Sequence, residues 1–222
     1  MGEKDMFRRS ETWPGTDMPE DYFIGLDLGQ AKDFTAVAIV EGLVYHDHYR
    51  CVYLERMRGI SYPKIIQKIE DLVHSEPICW GNLHLVVDKT GVGAPVVDAM
   101  FEKNLNPVGI TITGGDKPVR TILNPPWGTR QSWTCPKRDL VHNLLLMAQS
   151  KKLTILDHLR DAQVLLTEMQ NMRSKIDIKT ANDSYSAWRE SDHDDLVLAL
   201  ALAAWWTLKR PAPTYVTTPR RA

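Results

Sequence analysis

The stretch Leu85-Val86-Val87-Asp88-Lys89-Thr90-Gly91-Val92-Gly93 runs from an apolar strand, through a carboxylate, into a turn punctuated by two glycines. The strand, residues 83–88, is apolar enough to be central in a sheet. The glycines turn the chain into a helix through about residue 103, with Pro95 in the first turn, where proline is tolerated. Residues 107–113 read as the next strand. Strand, helix and strand in this order form a crossover unit, so the sheet is partly parallel.

On the N-terminal side, residues 22–27, 35–41 and 43–57 read as three strands of an antiparallel meander, with Glu41-Gly42 at the second turn. Between meander and crossover, Ser61 offers an N-cap, and Ile65, Ile66, Ile69, Leu72 and Val73 recur at helical spacing. On the C-terminal side, residues 114–136 read as irregular, 137–149 as an amphipathic helix and 153–156 as a short edge strand. Asp157 caps a helix to about residue 170; residues 175–180 and 184–188, joined through Ala181-Asn182-Asp183, read as a hairpin. Residues 192–209 form a last helix, apolar nearly all round and therefore packed inside. The class is α/β: a mixed central sheet, antiparallel meander plus parallel strands, flanked by helices.

A chain of 222 residues fits one such core. Residues 1–20, with Pro14, Gly15 and Pro19, read as a flexible lead-in, 21–210 as the folded domain, and 211–222 as a disordered basic tail. Cys51, Cys79 and Cys135 are odd in number and widely spaced, which fits reduced thiols and neither a disulfide framework nor a zinc motif. The first 20 residues carry no apolar signal core, and the longest apolar run, residues 196–206, is too short to span a bilayer, so no membrane partner is expected. With a net charge of −1, a nucleic-acid partner would need a local basic patch.

Three segments set carboxylates against apolar runs: Phe23-Ile24-Gly25-Leu26-Asp27, Leu85-Val86-Val87-Asp88 and Ser191-Asp192-His193-Asp194-Asp195. Carboxylates beside a core are costly unless a positive charge meets them, and a divalent ion serves several at once. Hard oxygen donors suit Mg²⁺ or Mn²⁺ and not zinc. Asp33, six residues after Asp27, begins the return strand and faces the same opening, or is a turn residue. Asp88 lies where α/β sheets place ligands, beyond a strand's carboxyl end, or it caps the turn that follows. Ser191 and Asp194 have capping-box spacing, so part of the third segment needs no ligand. Adjacent helical residues diverge by about 100°, so Asp194 and Asp195 divide their roles, one a ligand and the other a support for the ligands or a cap. His193 and Lys89 are candidates to contact a phosphate or support the ligands, or His193 is simply exposed. Lys117, Arg120, Arg130, Lys137 and Arg138, interleaved with Trp127 and Trp133, make the candidate nucleic-acid surface. The alternative is a structural loop whose tryptophans fill the core edge.

Strand-Asp, meander, helix, strand-Asp and a late helix opening on acidic residues is the order of the RNase H-like fold. Within it the chain resembles the nuclease domain of tailed-phage large terminase subunits. Three segments carry the likeness: Gly25-Leu26-Asp27 with Asp33, Val87-Asp88-Lys89-Thr90-Gly91-Val92-Gly93, and His193-Asp194-Asp195-Leu196-Val197-Leu198-Ala199-Leu200-Ala201. The resemblance implies a two-metal-ion endonuclease acting on double-stranded DNA in phage packaging, with Asp27, Asp88 and Asp195 holding Mg²⁺ or Mn²⁺ and Asp33 and Asp194 assisting. It implies the host cytoplasm as the place of action. It also implies a packaging ATPase domain or subunit, the portal and the small terminase as partners. The family's ATPase is absent from these 222 residues. An RNase H-like Holliday-junction resolvase has nearly the same motifs. An actin-like ATPase or sugar kinase shares the first strand-turn-strand but needs an adenosine-binding glycine motif where His193-Asp194-Asp195 stands. A DNA-end or portal-docking module without catalysis is the remaining alternative.

Overall fold

The computed structural model describes residues 21–30, 33–43, 47–124, 130–178 and 194–209, with backbone alone at 43 and 173–178. Eight strands form one sheet: β1 (Asp21–Asp27), β2 (Phe34–Leu43), β3 (His48–Arg58), β4 (Asn82–Asp88), β5 (Val108–Thr113), β6 (Val119–Leu123), β7 (Arg130–Pro136) and β8 (Leu153–Ile155). Their order across the sheet is β6-β7-β5-β4-β1-β2-β3-β8. The meander is present as expected, β1 against β2 and β2 against β3, both antiparallel. The crossover is present too: β4 runs parallel to β1 on one side and to β5 on the other.

Helices cover both faces. Strand residues alternate between faces, and the chain uses that alternation to build two cores. Tyr22, Ile24 and Leu26 of β1, with Val37 and Ile39 of β2, bury against α1 (Tyr62–Val73) and α2 (Gly93–Glu102). Phe23 of β1 and Ala36, Ala38 and Val40 of β2 bury on the other face, with α3 (Lys137–Gln149), α4 (Ala162–Ile178) and α5 (Asp195–Thr207). Leu196 to Thr207 of α5 are all buried. This explains the apolar character of α5 on every side: strands lie under one flank, and α3 and α4 lie against the others.

Gly25 is what lets α5 lie so close. A Cβ there would stand 2.9 Å from the carbonyl carbon of Ala199 and 2.9 Å from the nitrogen of Ala203, and closer still to the Ala199 oxygen. Those are backbone atoms of the helix and cannot swing aside.

Three expectations need correction. Residues 119–123 and 130–136 are the strands β6 and β7, not irregular chain. All five residues of β6 are exposed, so it carries no in–out alternation to read. Residues 175–178 continue α4 and are no strand of a hairpin; residues 179–188 lie outside the described residues. The helix expected from Asp157 begins five residues later, at Ala162.

Candidate active site

The register pairing Leu26 with Val87 brings the ends of β1 and β4 together, so Asp27 and Asp88 stand side by side. Both lie on the α5 face: Phe23, Gly25 and Asp27 share one side of β1, and Val86 and Asp88 share one side of β4. α5 crosses that face with its N-terminus at the same end of the sheet. This adds Asp194, just before its first turn, and Asp195, its first residue. β7, parallel to β5, ends at Pro136 at the same end and delivers Lys137 as the first residue of α3. Four carboxylates and one ammonium from β1, β4, α3 and α5 thus converge.

The electrostatics follow from this convergence. Asp27 is buried at 8% exposure, and its carboxyl is held well above the usual range. Burial is the main cause, followed by the charges of Asp88, Asp195 and Asp194, with Lys137 pulling the other way. Burial raises Asp88 as well, against hydrogen bonds from Thr90 and the charge of Lys137. Asp88 Oδ1 accepts from the Thr90 backbone N–H at 2.8 Å and from Thr90 Oγ1 at 2.6 Å. Turn and ligand candidate are therefore one unit. Lys137 Nζ meets Asp194 Oδ2 at 2.6 Å. Oδ2 of Asp195 is buried.

A divalent ion fits this donor set in kind. The donors are hard carboxylate oxygens, and burial, with the neighbouring aspartates at Asp27, raises the cost of ionising Asp27 and Asp88, which a cation would offset. Among the described residues, however, no three acidic, histidine or cysteine side chains stand arranged to hold an ion as they are. One of the carboxylates, Asp194, is turned to Lys137.

The other expected residues divide. Asp33 is exposed in the turn before β2, and the charges acting on Asp27 come from Asp88, Asp195, Asp194 and Lys137. Lys89 lies with its stem over Gly109 of β5. His193 lies outside the described residues. In the basic stretch, Lys117 sits in the turn before β6, and Arg120 on β6 donates to Gln131 at 3.1 Å. Arg130 is paired with Asp98 of α2 at 2.6 Å and lies over the Phe101 ring. Arg138 donates to the Asp116 carbonyl at 2.7 Å. Trp133 packs edge-on against Trp205 and Trp206 of α5, with centroids 5.3 and 6.5 Å away, and so fills the core edge. Trp127 lies outside the described residues.

Glu168 was not anticipated. It is 6% exposed on α4, and its carboxyl is pushed up to about 7, first by burial. The Val197 N–H and Arg56 pull it down, while Asp195 and Asp194 push it up. It lies on the buried stripe formed by Ala162, Leu165 and Met172. A charge at an apolar-face position is the signal that marks it in the sequence.

The fold has counterparts among solved structures. The large terminase nuclease from thermophilic phage G20c matches with a TM-score of 0.53 and 19% identity, over 82% of this chain and 80% of that one. The human cytomegalovirus terminase nuclease domain, Mn-soaked and inhibitor-bound, matches at 0.53 and 14% identity, over 85% and 83%. The large terminase of a second thermophilic bacteriophage matches at 0.57 and 12% identity, over 92% of this chain and 44% of that one. No protein-family model and no curated protein matches the chain. The chain is an α/β protein with a mixed eight-stranded sheet flanked by helices. Its particular version of that fold is the one seen in large terminase nuclease domains.

Proposed function

We propose that the chain is a divalent-metal-dependent endonuclease that hydrolyses phosphodiester bonds of double-stranded DNA, in the manner of a terminase nuclease cutting packaged DNA. The observation that carries this reading is the meeting of Asp27, Asp88, Asp194 and Asp195 at one sheet end, on a fold shared with terminase nucleases. That the cytomegalovirus domain was soaked with Mn favours the same metal class here.

Asp27, Asp88 and Asp195 would hold the ions, Mg²⁺ or Mn²⁺, two being the number that suits this chemistry, with Asp33 and Asp194 assisting. When bound, the ions would supply the Lewis acidity for an in-line displacement at phosphorus. The chain's own groups do the rest. Thr90 fixes the rotamer of Asp88, so one oxygen is committed and the other is aimed. Burial of Asp27 keeps water from screening its charge. Lys137 holds Asp194 and offsets part of the negative potential that would repel a phosphate. Lys117, Arg120, Arg130, Lys137 and Arg138 are the proposed DNA-binding residues, with Lys89 and His193 proposed to contact a phosphate or support the ligands. Since the large terminase of the second phage is more than twice as long as the part matched here, a packaging ATPase domain or subunit is the proposed partner, with the portal and small terminase beyond it.

The test is cleavage of supercoiled plasmid by the wild type and by Asp88→Ala, with Mn²⁺, with Mg²⁺ and with chelator. Metal-dependent cutting by the wild type alone is expected. Equal cutting by the folded variant would place the chemistry elsewhere, and preference for four-way junctions over linear duplex would favour a resolvase.

A further inference from the structure

Among the described residues, α5 begins without a side-chain cap from its own N-cap position. Asp194 occupies the N-cap position, yet its side chain makes no capping hydrogen bond and is held by Lys137 instead. The donor a capping side chain ordinarily takes is the N–H of the second or third helical residue. Here the third residue, Val197, donates that N–H to Glu168 Oε2 at 3.1 Å, from a side chain 29 positions earlier on another helix. The other oxygen of Glu168 meets Arg56 Nη1 of β3 at 3.3 Å. Arg56 is fixed in turn: its guanidinium lies over the Phe34 ring at 4.2 Å, and its backbone N–H donates to Asp161, immediately before α4, at 2.9 Å. One buried carboxylate therefore joins β3, α4 and the first turn of α5. Ala36 stands opposite Arg56 on one side of β2 and opposite Asp27 on the other, so the brace crosses the sheet beside the carboxylates.

A buried charge is a costly cap when a neutral one would do. The arrangement makes sense if the local acid cannot be spent on capping. We infer, building on the nuclease reading of the site, that Glu168 is a positioning residue: it caps α5 from α4, sets the first turn that carries Asp195, and leaves Asp194 and Asp195 to the site. It touches neither substrate nor ion.

The test compares Glu168→Asp with Glu168→Gln in the full chain. The first keeps the charge but withdraws the acceptor by one methylene; the second keeps the reach and removes the charge. Mn²⁺ affinity by calorimetry, amide exchange at Val197 and plasmid cleavage are read for each, at a temperature where both variants are folded. Glu168→Asp is expected to speed exchange at Val197 and to weaken Mn²⁺ binding about tenfold, as loss of a ligand's support does. Glu168→Gln is expected to keep both within about twofold of the wild type, far below that loss. The opposite ranking would mean that the charge alone matters and would overturn the positioning role, as would wild-type Mn²⁺ affinity in Glu168→Asp. A wild type that binds no Mn²⁺ would refute the nuclease reading itself, a result separate from unchanged binding in Glu168→Asp.

Discussion

Gly25→Ala is the substitution that tests the architecture most directly. The added methyl would stand 2.9 Å from two backbone atoms of α5 and nearer to the Ala199 oxygen. Ordinary carbon contacts lie at about 3.5–4.0 Å, so the helix must withdraw by roughly 0.6–1 Å, and further at the oxygen. A gap of that size forfeits about a quarter to a half of the dispersion energy of each contact it opens. α5 is buried along nearly its whole length, so it has no exposed flank to move into. Overpacking costs about 1–3 kcal/mol where side chains can adjust; with backbone on both sides the upper end applies, about 3 kcal/mol. For a domain of this size that lowers Tm by about 6–12 °C. Differential scanning fluorimetry with chelator measures it. The same withdrawal carries Asp195 away from Asp27, so Mn²⁺ affinity should fall in the folded variant as well. A Tm within about 2 °C of wild type, less than 1 kcal/mol, would show that α5 does not press on β1 as described. A large loss of stability with unchanged Mn²⁺ affinity would show that the distance between β1 and α5 is not what sets the site.

Two further outcomes follow from the crowded carboxylates. Asp27→Asn, which keeps the shape and removes a carboxyl whose ionisation burial and the neighbouring aspartates oppose, should leave the metal-free protein at least as stable as the wild type at pH 8 while abolishing plasmid cleavage; destabilisation on urea titration would contradict the cost of ionising this site. The metal-free protein should also lose stability as pH rises from about 5 to 8. Asp27, Asp88 and Glu168 all have folded values above their unfolded ones, Glu168 at about 7, so the folded state binds the extra protons, and the stabilisation present at low pH disappears as they leave. Urea midpoints at several pH values in chelator measure the slope, and saturating Mn²⁺ should flatten it.

The parts of the fold legible in the sequence are those whose environment imposes a pattern. β1 and β2 are buried on both faces and so read as short continuous apolar runs, and Val87-Asp88 followed by Gly91 and Gly93 announces a strand turning into a helix; these are present as expected. β6 was illegible because all five of its residues are exposed. Residues 175–178 alternate polar and apolar as a strand would, yet they continue a helix begun at Ala162. In the candidate site, the meeting of Asp27, Asp88 and Asp195 at one sheet end was legible because each ends or opens an apolar run. The position of Lys137 among them was not, because it depends on β7, a strand the sequence conceals. Glu168 was invisible as a cap because its partners Val197 and Arg56 lie 29 and 112 positions away.

The four aspartates therefore do different things for different physical reasons. Asp88 is fixed locally: Thr90, two residues on, commits one of its oxygens. Asp194 is fixed across the molecule by Lys137, and that ion pair removes it from the capping role its position offers. The turn carrying Asp195 is fixed by Glu168, which takes the amide that Asp194 leaves uncapped. Asp27 is the group on which the other three act. It is the most buried of the four, and its charge is opposed by all of its acidic neighbours and favoured by Lys137. A site arranged in this way resists ionisation at Asp27 until more positive charge arrives. Under the proposed metal-dependent reading, loading a cation at the end of β1 would therefore be coupled to proton release.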